Sequence, residues 1–104
     1  MMCKFANKLG YSDVTPFEVI KKISDKTLVI RAMKYERDES VKLEFDVGGF
    51  AAHCVNQHEQ KWFIESDPTR PEIRIRLGKK GWKDAHGSSY NLEDAPRRFY
   101  DYNF

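Results

Sequence analysis

The sequence predicts a mainly β fold: a small antiparallel barrel or rolled sheet of the SH3-like or OB-like size class, with little helix. Three observations predict it. The segment EIRIRL (72–77) alternates, with Ile73, Ile75 and Leu77 on one face and Glu72, Arg74 and Arg76 on the other, the period-2 signature of a half-buried strand. Two β-branched and aromatic runs, 17–20 and 27–30, flank the polar cluster Ser24-Asp25-Lys26, as in a hairpin. Turn formers recur at short intervals: Gly48-Gly49, the stretch 67–71 with its two prolines, and three glycines between 78 and 87, as in all-β domains built of short strands. The alternative is an α+β roll in which residues 51–60 are helical.

Taken along the chain, residues 1–12 read as a tail or a short helical turn, since Phe5 and Leu9 stand four apart and Gly10 follows. The hairpin 17–30 comes next. Its second run, Thr27-Leu28-Val29-Ile30, carries apolar side chains on both faces, which implies a strand covered on two sides or a bent sheet. Residues 34–46 mix both charge signs without a helical stripe and read as an exposed loop, ending in a short strand around Leu43–Phe45. The stretch 61–66 (KWFIES) reads as a strand that pairs antiparallel with 72–77 across the proline turn. Residues 78–92 read as a two-strand excursion with a tight turn at Asp84–Gly87. The end, RRFYDYNF (97–104), is aromatic to its last residue and should dock as a final strand or extended segment.

A chain of 104 residues makes one domain, 1–104, with enough volume for a single modest core. A content of 13% aromatic and 40% hydrophobic residues excludes a disordered chain. No run approaches the roughly 20 apolar residues of a membrane span, and the first residues lack the apolar stretch of a signal peptide. The two cysteines, Cys3 and Cys54, do not make a disulfide framework. Free thiols in a reducing cytoplasm are the expectation.

The candidate chemistry is sparse. Nucleophilic catalysis needs a base beside the thiol. His53 is the sequence neighbour of Cys54 and so points away from it in a strand, which leaves His58 or His86 as partner for a cysteine-dependent enzyme. The plainer reading of Cys54 is a small buried thiol, and no catalytic residue is assigned. Cys3, Cys54, His53, His58 and His86 form no paired ligand motif of the zinc type, so neither metal nor cofactor is expected. His53, Asn56, Gln57 and Gln60 make a polar set ahead of Trp62. Their amides suit either a bound base or peptide edge, or the backbone of their own loop.

The charge distribution is more informative. The chain carries a net +2, but between positions 70 and 83 six basic side chains face one acid, Glu72. Arg74, Arg76, Lys79, Lys80 and Lys83, with Trp82 among them, form the candidate binding surface. Cations on a strand face beside an aromatic ring are how small barrels hold a nucleic-acid backbone and stack a base. A basic edge strand also guards against sheet-to-sheet aggregation. In the tail, Tyr100, Tyr102 and Phe104 alternate onto one face and, with Phe50, make a candidate aromatic surface for a protein partner.

The segments LGYSDVTPFEVI, GGFAAHCVNQ, QKW, IRIRLGKKGWK and RRFYDYNF, taken as a set from Leu9 to Phe104, resemble a family of small uncharacterised bacteriophage and prophage proteins. The resemblance implies context: an accessory protein in the cytoplasm of a bacterial host cell, acting by binding a host or phage macromolecule. It implies no catalytic residue and no cofactor. The expected function is a non-enzymatic binding module that contacts nucleic acid, or an acidic protein surface, through the basic strand face. The alternative is a protein-interaction factor that inhibits a host enzyme or defence system.

Overall fold

The structure, a computed structural model, describes residues 4–42, 45–46, 53–54 and 57–100; the side chains of 45, 46, 53, 54 and 57 are not described. Among the described residues it contains eleven strands: β1 (Phe5–Leu9), β2 (Val14–Thr15), β3 (Phe17–Ser24), β4 (Thr27–Ala32), β5 (Lys34–Arg37), β6 (Phe45–Asp46), β7 (His53–Cys54), β8 (Trp62–Glu65), β9 (Glu72–Gly78), β10 (Gly81–Lys83) and β11 (Ser89–Glu93). Six of them close an antiparallel barrel in the order β1-β11-β10-β9-β4-β3 and back to β1. The ring closes where β3 meets β1 at the pair Phe5 and Glu18. The strand β2 lies on β1 and runs through the buried Pro16 into β3. Two short ribbons stand apart from the barrel ladder, β5–β8 and β6–β7.

The barrel is filled by Ala6, Leu28, Ile30, Ile75 and Tyr90, with Phe17, Val19, Ile73, Trp82 and Leu92 packed against them. Alternation delivers these residues. Leu28 pairs with Ile75 and Ile30 with Ile73 across β4 and β9, so one face of each strand supplies the interior. Phe17 meets Tyr90 edge to face at 5.4 Å, a favoured aromatic geometry. The double-sided apolar character of β4 has a direct outcome: Leu28, Val29 and Ile30 are all buried. Val29 points outward, between Lys21 of β3 and Arg74 of β9. The aliphatic stems of long cationic side chains at such positions cover an apolar neighbour and leave their charge in water.

Four sequence expectations are corrected. Residues 5–9 are a barrel strand, not a tail or helical turn. This strand bonds β11 along its length on one side and meets β2 and β3 on the other, and that two-sided pairing outweighs the local four-residue spacing. Residues 34–37 belong to β5 rather than to a loop. Their partner β8 is distant in sequence, and the Lys34–Glu65 ion pair at 2.8 Å spans the ribbon. The strand 62–65 does not pair with 72–77: β8 takes β5, and β9 lies between β4 and β10. The intervening turn sends the chain elsewhere, with Asp67 accepting from the Thr69 and Arg70 backbone amides. Finally, the helical alternative for 51–60 contracts, among the described residues, to one 3-10 turn at Gln57–Glu59.

The tail is anchored to the barrel. Phe99 and Val14 exchange backbone hydrogen bonds at 3.0 Å. Asn7, fully buried on β1, donates through Nδ2 to Glu93 and to the Ala95 carbonyl and accepts from the Arg97 amide. Residues 101–104, with Tyr102 and Phe104, lie outside the described residues, as do Leu43, Phe50 and Asn56. Among the described residues no helix is long and apolar enough to cross a membrane.

Candidate nucleic-acid interface

The alternation of β9 decides where its arginines point. Ile75 is fully buried in the barrel, so Arg74 and Arg76 project from the outer wall, where both are exposed. They stand about 7 Å apart along the strand. Lys83 of β10 is registered opposite Arg76, about 5 Å away. The chain between β9 and β10 reverses through Lys79-Lys80, flanked by the registered pair Gly78 and Gly81. Gly81 has φ 95°, a left-handed conformation that glycine adopts without steric cost. The turn therefore carries two exposed lysines at its tip.

These side chains line one open depression of about 730 Å³, together with Leu77, Asp84 and Ala85. Among the described residues none of the five cations takes part in an ion pair. The one carboxylate at the rim is engaged inward. Asp84 accepts from the His86 and Ser88 amides and from the Tyr90 hydroxyl, at 2.9 to 3.0 Å. Partial burial pushes the Asp84 carboxyl upward, but the hydrogen bonds from Tyr90, Ser88 and His86 prevail and hold it below its ordinary value. It stays ionised at neutral pH.

Trp82 does not join this surface. It alternates with Lys83 and packs against the barrel core beside Tyr90, its registered neighbour. Trp82, half-buried, is not among the residues that line the depression, because the period-2 alternation that turns Lys83 outward turns Trp82 toward the core. One cation escaped notice in the sequence. Lys21 follows a bulge in β3 and is registered with Val29, which is registered with Arg74. The basic face thus continues from β10 across β9 and β4 to β3. A Lys-Lys pair opposite Leu28-Val29 in the predicted hairpin was the available signal.

The polar set ahead of Trp62 divides. His53 and Gln57 are described in backbone only and Asn56 not at all. Gln60 works internally: its Oε1 accepts from Trp62 Nε1 at 2.7 Å and from the Tyr100 amide at 2.9 Å, and its Nε2 donates to the Tyr100 carbonyl. This is the structural role, an amide satisfying its own chain. Around it lies a cluster that the sequence did not reveal. The Arg98 guanidinium sits 4.5 Å from the Tyr35 ring centre, 5.2 Å from Trp62 and 5.7 Å from Tyr100. The four residues come from β5, β8 and the tail, and only tertiary structure unites them.

Cys54 lies on β7 with its side chain undescribed, and His58 and His86 are exposed. Among the described residues no three His, Cys, Asp or Glu side chains converge on a point where a metal ion would fit. Comparison of the chain with protein-family models, with curated proteins and with solved structures finds no match.

Proposed function

We propose that the protein is a non-enzymatic binding module that holds nucleic acid by its phosphates on the outer face of β9 and β10. The convergence of Arg74, Arg76, Lys79, Lys80 and Lys83 on one concave surface, where the one carboxylate, Asp84, is engaged by Tyr90 and its own turn, supports this reading. The cations stand on a closed barrel, so their spacing is fixed before binding, and little conformational freedom of the backbone remains to be lost. A small accessory protein in the cytoplasm of an infected bacterium, the context that the phage-like segments imply, suits such a role. Titration of a fluorescent oligonucleotide at two salt concentrations tests it. Binding should weaken steeply with salt as phosphate counterions are released. Absence of binding at low salt removes the proposal.

A second reading, a protein-interaction factor directed at a host enzyme or defence system, is favoured by Phe63. It stands 63% exposed on β8, registered with Glu36 on the side of the ribbon opposite Trp62. Tyr35 and Tyr100, also partly exposed, are engaged with Arg98 instead. A partner captured from nuclease-treated lysate and lost on Phe63→Ser supports this second reading.

A further inference from the structure

The depression on β9 and β10 differs from a single-strand site in one respect. Its lining is Arg74, Arg76, the two-lysine turn and Lys83, with Leu77, Asp84 and the small residues Gly78, Gly81 and Ala85, and none of the lining residues is aromatic. Of the two rings nearest in sequence, Tyr90 is buried in the barrel interior and Trp82, half-buried, packs against it. Proteins that hold single strands do so largely by stacking bases on aromatic side chains. A surface with five cations and no aromatic ring recognises what a duplex presents outward, namely phosphate, and has no ring on which to stack unpaired bases.

The shape agrees with that chemistry. The lysine turn and the start of the turn at 84–87, Asp84 and Ala85, both line the depression. Arg76 and Lys83 sit on adjacent strands as a registered pair between them. An open depression fits a convex ridge, and the sugar–phosphate backbone beside a duplex groove is such a ridge. Gly78 and Gly81 have open space where a Cβ would project, so the lysine rim has no bulk beside it to keep the backbone away.

We infer that the partner is duplex nucleic acid, held by one phosphate backbone lying in the depression and without sequence preference. This rests on the function proposed above. Arg74, Arg76 and Lys83 line the floor and the wall, and Lys79 and Lys80 reach the phosphates from the rim. With up to five phosphates neutralised, log Kobs should fall against log salt with a slope of about −4 to −5.

The experiment compares the full chain on three probes at matched length: a 20-base-pair DNA duplex, a second duplex of unrelated sequence, and one of the single strands. The two duplexes should bind equally, and both more tightly than the single strand. Lys79→Ala/Lys80→Ala should reduce the magnitude of the slope by about 2, whereas Lys34→Ala, a cation paired with Glu65 on the other ribbon, should leave it unchanged. Melting curves confirm that both variants fold. Tighter binding of the single strand, strong preference for one duplex, or an unchanged slope in the double variant overturns the inference while the proposed function stands. No binding of any probe at low salt overturns both.

Discussion

The Tyr90 hydroxyl donates to Asp84 Oδ2 at 2.9 Å, and this bond joins the interior of the barrel to the rim of the basic depression. Tyr90 is one of the buried core residues. Asp84 heads the turn between β10 and β11 and also binds the His86 and Ser88 amides. Gly87, with φ 86°, completes the turn. The shape of the proposed binding surface thus depends on Tyr90, a buried core residue.

Tyr90→Phe keeps the ring and removes the donor. A hydrogen bond to a charged acceptor contributes about 1.5–3 kcal/mol, and a loss in that range is expected in urea denaturation. Asp84→Ala should cost more, because two backbone amides lose their acceptor as well. An Asp84→Ala protein as stable as the parent would show that the turn holds without its side chain.

Stability should fall at both ends of the pH range, by different groups. Asp84 and Glu93 are partly desolvated, which raises them, but their hydrogen bonds, from Tyr90 and the turn amides for one and from Arg97 and Asn7 for the other, leave both below the ordinary carboxylate value. Their contribution is present above about pH 4 and is lost as pH falls through the lower folded values. Tyr90 is raised by burial first and then by Asp84. Its contribution is complete below about pH 10 and is lost as pH rises beyond that point. Denaturation midpoints measured from pH 2 to 11 should show both declines, and the alkaline decline should shrink in Tyr90→Phe.

Asn7→Leu should be strongly destabilising although it replaces a buried polar group with an apolar one of similar size. The Arg97 amide and the Ala95 carbonyl lose their partner on β1, and each unsatisfied group costs about 1–3 kcal/mol. Amide exchange at Arg97 should accelerate with it. Protection at Arg97 equal to the parent's would mean that the tail is held by the Phe99–Val14 bridge alone.

The two faces of β9 should respond oppositely. Ile75→Ala empties part of the core and should cost about 2–5 kcal/mol. Arg76→Ala, on the outer face, should change stability by no more than about 0.5 kcal/mol and act on nucleic-acid binding instead. A large stability loss for Arg76→Ala would assign that guanidinium a structural role.

Arg98→Ala should cost about 1–2 kcal/mol, the range of a partly desolvated cation–π contact, and should shift tryptophan emission to the red as Trp62 loses its cover. Arg97→Ala, whose side chain binds Glu93 instead, should leave the emission unchanged. Identical spectra for the two variants would contradict the Arg98 cluster.

What the sequence determined by itself is whatever depends on period and on near neighbours. EIRIRL folds as the alternating strand it spells, because a side-chain period of two admits one buried face. The hairpin on either side of Asp25-Lys26 and the turn at Asp84–Gly87 form because their residues lie within a few positions of each other. The outward direction of Arg74 and Arg76 follows from the same rule. Tertiary structure decided everything that depends on distant pairing. FANKL has no strand-like pattern, yet it is drawn into the barrel, where both its edges find partners and a tail from the other end of the chain satisfies Asn7. Lys34–Arg37 looks like loop until β8 comes beside it. Trp82 packs against the core and Lys21 is surface because of which strands lie next to theirs. The Arg98 cluster draws on three segments that no local window contains. Backbone hydrogen bonds between strands are indifferent to sequence separation, so the partner of a short, irregular strand is chosen by what the closed barrel leaves unpaired.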